Sequence, residues 1–158
     1  MSKPIQPLEG DKAPNFKGLT DTEGEISLNQ FKGKNIVLYF YPKDMTPGCT
    51  TEGIDFTALK SEFTAANTVV IGVSKDSEAR HIKFREKHKL DILLLADENG
   101  ETLEAYGAWG QKKLYGRTFL GIIRCTFLID AKGIIKRVWP KVRVKGHAQD
   151  VLDAVKAL

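Results

Sequence analysis

Cys49 is the residue in this chain best placed to do chemistry. It follows Pro47-Gly48 at the end of a loop rich in breakers, PKDMTPG, and stands where a helix would open. Free backbone N–H groups and the positive end of a helix dipole gather at such a position and favour an anion. Thiols there commonly titrate in a range of roughly 3.5–7.5 rather than near 8.5. The expected chemistry is therefore that of a nucleophilic thiolate. The second cysteine, Cys125, lies far along the chain, so there is no CxxC pair. Two cysteines are too few for a disulfide scaffold or a zinc site. In a cytosolic chain each is either a small buried apolar residue or a reactive thiol. The polar residues and breakers around Cys49 favour the second reading there.

The elements that must position Cys49 are visible around it. Asn35–Tyr41 (NIVLYFY) is a nearly unbroken apolar run, the pattern of a central strand buried on both faces of a parallel sheet. After the loop, Phe56, Leu59 and Phe63 recur at helical spacing, with Glu52 in the expected first turn. Val69–Val73 then reads as a second strand, completing a βαβ unit. Asp76 or Ser77 can cap a charged helix running to about Leu90, and Ile92–Leu95 is a third buried strand. A Gly-rich region follows. Thr126–Asp130 and Ile134–Trp139 flank DAKG as a hairpin. Ala148, Val151, Leu152, Val155 and Leu158 share one face of a last helix. Near the start, Phe16–Leu19 and Glu25–Leu28 flank DTEG as another hairpin. The order predicts an α/β fold with a mixed central sheet flanked by helices, in the thioredoxin-like arrangement. Cys49 then sits beyond the carboxyl end of a strand, where α/β sheets bind ligands.

Composition sets the outer limits. A chain of 158 residues fits one domain, expected here to span 1–158, and buries enough surface to build its own core. With 42% apolar and 28% charged residues it reads as a soluble globular protein, not a disordered or fibrous one. No apolar run is long enough to span a bilayer. The opening MSKPIQPLEGDKAPNF has no apolar h-region, so no secretory signal is expected and the cytoplasm is the default compartment. The net charge of +4 is too weak to argue for nucleic acid. Lys136, Arg137, Lys141, Arg143 and Lys145 do cluster. With no aromatic platform between them, they read as a solvated surface rather than a nucleic-acid site.

Tyr39–Thr50 reads YFYPKDMTPGCT and contains Pro42-x-x-x-Thr46-x-x-Cys49. With GVSKDS, FREKH, AYGAWG, LYGRTFLGIIRCTFLID and VKGH further on, it resembles the peroxiredoxins, in the bacterioferritin comigratory protein (peroxiredoxin Q) branch, over nearly the whole chain. The resemblance implies reduction of hydrogen peroxide and organic hydroperoxides by a peroxidatic cysteine, without cofactor or metal. Carried over, Cys49 is the peroxidatic thiolate and Thr46 the hydroxyl that holds the peroxide oxygen. Pro42 shields the pocket, Arg124 faces the thiolate, and Glu52 positions that arginine. The implied reductant is thioredoxin or another thiol system such as glutaredoxin. A monomer is favoured over a dimer, with neither nucleic acid nor membrane as partner.

Acidity of the thiol does not suffice for such a reaction. A fall of about three units, from about 8.5 to 5.5, raises the thiolate fraction at pH 7 roughly thirtyfold. With a Brønsted slope near 0.4–0.5, nucleophilicity falls on the order of 15- to 30-fold over the same change. The two nearly cancel. The larger contribution must come from donors aimed at the peroxide oxygens: Thr46, backbone N–H groups near Cys49, and Arg124.

The chain departs from the branch in one respect. A resolving cysteine is common five residues after the peroxidatic one or in the following helix. Here the first position is Ile54, and the segment His81–His88 holds no cysteine. Ile54 falls about 160° around the helix from Phe56, off the core stripe and beside the site. Successive strand side chains alternate, so if Arg124 reaches Cys49, then Cys125 points away into the core. This predicts a one-cysteine mechanism in which an outside thiol reduces the sulfenic acid. His81 and His88 are about 10.5 Å apart along one helix face, too far to share a metal, and read as solvated. Trp109, Tyr115 and Phe119 either wall the pocket or simply pack. Two other functions stay open: a thioredoxin-fold binding or holdase protein with an incidental thiol, and a redox sensor that passes oxidation to a partner.

Overall fold

The computed structural model describes residues 5–158. In chain order, β1 (Lys17–Thr20) and β2 (Gly24–Ser27) form a hairpin, and a short 3-10 turn leads into β3 (Asn35–Phe40). Then come α1 (Pro47–Ala58), α2 (Lys60–Ala65), β4 (Thr68–Ser74), α3 (Glu78–His88), β5 (Leu93–Ala96) and α4 (Glu101–Ala105). The chain ends with β6 (Trp109–Leu114), β7 (Arg117–Ile122), β8 (Cys125–Ile129), β9 (Ile135–Trp139) and α5 (His147–Lys156).

Seven strands make one mixed sheet in the order β2-β1-β5-β4-β3-β8-β9, with β6 and β7 as a separate hairpin. The central trio β5-β4-β3 is parallel, and antiparallel pairs flank it on both sides. Strand β3 is buried on both faces, as its unbroken apolar run requires. Ile36, Leu38 and Phe40 enter one core layer with Phe16, Leu103, Tyr106, Cys125 and Phe127. Val37, Tyr39 and Tyr41 enter the other, under α1, α2, α3 and α5, with Cys49, Phe56, Phe63, Phe84 and Val151. Each fully buried Leu or Phe side chain contributes about 1.5–3 kcal/mol, so both layers hold β3 in place.

The helix expected through Phe56, Leu59 and Phe63 is two helices. The Leu59 N–H donates to the Phe56 carbonyl at 3.2 Å, a tightened turn, and α2 starts afresh at Lys60. Phe56 and Phe63 still share one core layer. Ser77, not Asp76, caps α3, its hydroxyl accepting from the Arg80 N–H at 3.2 Å. In the last helix four of the five stripe residues are buried, whereas Leu158 lies beyond α5 and is exposed.

The Gly-rich region holds the elements with no sequence signal. Helix α4 has five residues, too few to show a period, and its first N–H groups are capped from outside: Asp97 accepts from Thr102 and Leu103. The β6–β7 turn is Tyr115-Gly116, with φ of +51° and +76°. That is the geometry of a type I′ hairpin, normally signalled by Asn-Gly or Asp-Gly.

Candidate active site

Strand β3 delivers the chain to a loop whose conformation is set by specific bonds. Met45 adopts a left-handed φ of +70° in this loop. Thr46 is the N-cap residue and Pro47 the first residue of α1, where its missing N–H costs nothing. Cys49 is therefore the third residue of α1, 1% exposed, with its sulfur turned into the core layer under the helix. The first intrahelical bond runs from Thr50 N to Thr46 O, so the N–H groups of Gly48 and Cys49 precede the ladder. Because α1 starts at Pro47, Glu52 lies in the second turn rather than the first, and it points inward.

The structure brings Cys49, Arg124 and Glu52 together. Arg124 occupies the short link between β7 and β8, and its guanidinium is forked. Nη2 donates to Cys49 Sγ at 3.3 Å, and Nη1 donates to Glu52 Oε1 at 2.6 Å. Glu52 is 1% exposed, and its other oxygen, Oε2, has no hydrogen-bond partner. Burial pushes the Glu52 carboxyl up to about 7, with the Arg124 charge working against that rise. Gly48 makes room for the fork: a methyl group there would stand 3.3 Å from Nη2. The Arg124 carbonyl accepts from the Val142 N–H at 2.9 Å, which ties the link to the segment before α5.

Cys125 faces the other way. It pairs with Phe40 across β8–β3 and packs in the opposite core layer with Phe127 and Tyr106. Burial pushes its thiol well above the ordinary range.

Thr46 is held by its own loop. Its hydroxyl donates to the Lys43 carbonyl at 2.8 Å. In this arrangement its lone pairs are open to a peroxide O–H, and the donation expected from the sequence requires the hydroxyl to turn away from Lys43. Pro42 is half-buried at the start of the loop. Ile54 is 43% exposed and Met45 38%, an apolar rim on α1 and its loop. Trp109 is half-buried against the core with Lys75 over its ring, Tyr115 is exposed at the hairpin tip, and Phe119 lies opposite Lys112 on the hairpin.

His81 is the larger surprise. Expected to be solvated, it is fully buried. Its Nε2 donates to the Leu95 carbonyl at 3.1 Å, and its Nδ1 lies 2.6 Å from Asp44 Oδ2. A carbonyl can only accept, so Nε2 is the donor to Leu95, and Nδ1 faces the Asp44 carboxyl. The Tyr41 hydroxyl donates to the other Asp44 oxygen at 2.6 Å, and the Asp44 N–H donates to Asp76. This buried network ties the loop between β3 and α1 to α3 and β5. His81 lies three residues before Phe84 on the same helix face, which was the available signal. His88 is half-buried, edge-on to Phe84. Lys136, Arg137, Lys141, Arg143 and Lys145 are all exposed.

Two recesses of about 440 and 300 Å³ are lined by residues at the start of β4 and by the loops around Phe31 and Asp130, away from Cys49. Neither recess is lined by Cys49, Glu52 or Arg124.

Comparison with known proteins identifies the family. The AhpC/TSA family profile matches residues 9–138. Peroxiredoxin Bcp of Bacillus subtilis is 48% identical over 147 residues, covering 93% of this chain and 94% of that one. Peroxiredoxin Bcp of Escherichia coli is 40% identical over 154 residues, covering 96% and 98%. A cysteine-to-serine variant of Xylella fastidiosa PrxQ superposes with a TM-score of 0.91 at 34% identity, covering 97% and 98%. The Xanthomonas campestris bacterioferritin comigratory protein, studied for alkyl peroxide reduction, superposes at 0.85 with 40% identity and 90% coverage of both chains. The chain belongs to the AhpC/TSA family, in its peroxiredoxin Bcp (peroxiredoxin Q) branch.

Proposed function

We propose that this thiol-dependent peroxidase uses Cys49 as its peroxidatic residue and works without an internal resolving thiol, as a single domain over 1–158. The observation that carries the assignment is the Arg124 fork, 3.3 Å from Cys49 Sγ and 2.6 Å from Glu52 Oε1. The thiolate attacks the terminal peroxide oxygen. An S–O bond forms, the O–O bond breaks, sulfur is oxidised by two electrons, and the leaving alkoxide or hydroxide takes up a proton. Negative charge moves from sulfur to the leaving oxygen during this step. The Arg124 Nη2 and the N–H groups of Gly48 and Cys49 are the donors that follow it. Thr46 accepts from the peroxide O–H and so orients it, and Pro42 covers the mouth.

The sulfenic acid then needs an external thiol, of the thioredoxin or glutaredoxin type. That thiol forms a mixed disulfide with Cys49, which a second thiol resolves. Among the described residues no helix is long and apolar enough to cross a membrane. A cytoplasmic monomer, without nucleic acid or membrane as partner, fits the mild net charge of +4. The test is peroxide consumption with a small-thiol reductant, wild type against Cys49→Ser. Full loss in the variant supports the assignment, and equal turnover in both contradicts it. Equal turnover would also move the chain toward a binding or holdase role.

A further inference from the structure

Two acids share one cation in this site, and both are buried. Cys49 and Glu52 are each 1% exposed, and the Arg124 guanidinium holds one on each arm of its fork. One guanidinium balances one negative charge. A second anion would be left uncompensated in a low-dielectric layer, where it is strongly disfavoured. Such a pair titrates as a unit: the site prefers a single proton on one acid or the other.

Resting on the reading of Cys49 as the peroxidatic thiolate, we propose that Glu52 is the proton store of the peroxide step. It is protonated while Cys49 is a thiolate, and it gives up that proton when the sulfur is oxidised. The net step balances. Cysteine thiolate, Glu52 carboxylic acid and ROOH become cysteine sulfenic acid, Glu52 carboxylate and ROH. The S–O bond forms and the O–O bond breaks. The proton from Glu52 ends on the leaving oxygen, and the site keeps one negative charge throughout. Arg124 is the shared counter-ion: once the sulfur is neutral, its charge is free to be matched by Glu52.

The surroundings favour the protonated resting state of Glu52. Its Oε2 is buried and unpartnered, a poor place for half of a carboxylate. The groups around it, Arg124 apart, are acids or neutral side chains. Asp55 and Cys49 lie on its own helix and the neutral Tyr39 phenol comes from β3, while the neutral Cys125 thiol belongs to the opposite core layer. Lys112 of β6 acts on Arg124 and Cys49, and burial holds its own amine below the ordinary lysine range. His147 of α5 is held neutral by burial, at about 4. Burial of Glu52 outweighs Arg124, leaving the carboxyl near 7, where it can both hold and release a proton.

Difference infrared spectroscopy across a single turnover tests this. The reduced protein, held below the Glu52 value of about 7, receives one equivalent of an alkyl hydroperoxide. The expected result is loss of one protonated-carboxyl C=O band per sulfenic acid formed. The loss should be absent in Glu52→Gln, which keeps an oxygen for Arg124, and retained in Asp55→Asn. Proton uptake read with an indicator dye gives a check in the wild type alone. It should be near zero per turnover below that pH and approach one above it. Sulfenic acid formation with no carboxyl change overturns the proton store while leaving the peroxidase intact. Carboxyl loss that persists in Glu52→Gln does the same. Absence of any sulfenic acid at Cys49 overturns the peroxidatic reading itself, and the proton store with it.

Discussion

Arg124 and Cys125 are neighbours in the chain and serve opposite sides of the sheet. The guanidinium reaches Cys49 Sγ at 3.3 Å on one side, while the Cys125 thiol is buried among Phe40, Phe127 and Tyr106 on the other. Cys125 opens β8 with its side chain in one core layer, while Arg124, in the link before the strand, turns to the other side. Cys49→Ser is therefore expected to abolish peroxide reduction and Cys125→Ser to leave most of it. Stopped-flow kinetics on both variants check this. Comparable losses would make Cys125 a resolving thiol.

Arg124→Ala and Thr46→Val act on different parts of the same step. Each is expected to slow peroxide reduction by at least about 10²-fold, the scale of losing one oriented transition-state contact. They should differ in their effect on the resting thiolate. Removing the guanidinium shifts thiolate absorbance to higher pH. Removing the Thr46 hydroxyl, whose proton is held by Lys43, shifts it less. A rate like that of the wild type in either variant would remove that residue from the site.

Gly48→Ala separates stability from activity. Alanine is the better helix former by up to about 1 kcal/mol, so Tm should hold or rise. Its methyl would stand 3.3 Å from Arg124 Nη2, and the fork must give by a few tenths of an ångström. A displacement of that size is expected to cost roughly tenfold in rate. An unchanged rate would mean the fork has slack that catalysis does not use.

His147 should set part of the acid sensitivity of the fold. Its ring lies edge-on between Phe56 and Trp139, with Nε2 2.8 Å from Thr126 Oγ1. Burial holds it at about 4, below its ordinary value of 6.5. Between those values the unfolded chain takes up a proton that the native state refuses, so stability falls as pH drops through this window and is complete above it. His147→Gln is expected to flatten that fall, measured as denaturant midpoints over a pH series. Identical slopes in both proteins would contradict it.

Much of this was legible in the residues, and the exceptions have physical causes. NIVLYFY announced β3 because a strand covered on both faces must be apolar at every position. The alternation argument put Cys125 in the core, where it lies, although Arg124 itself stands in the link before β8 rather than on the strand. The β6–β7 hairpin was hidden because Tyr115 takes a left-handed conformation that Asn or Asp would ordinarily signal. His81 was misread because its partner, Asp44, is 37 residues earlier, and a pattern along one helix does not reveal a long-range hydrogen bond. Thr46 was found by its motif, but which atom holds its proton depends on the loop turning Lys43 O toward it.

Intact mass after one equivalent of peroxide tests the central claim most directly. With Ile54 where a resolving thiol would stand and Cys125 in the opposite core layer, an oxidised Cys49 has no local partner. A disulfide would need Cβ atoms within about 4.5 Å. The expected product is the reduced mass plus one oxygen, on the peptide containing Cys49, passing to two added oxygens as more peroxide is supplied. A mass lower by two hydrogens, with Cys49 and Cys125 joined, would contradict the account, because β8 would then have to move and turn its buried thiol across the sheet.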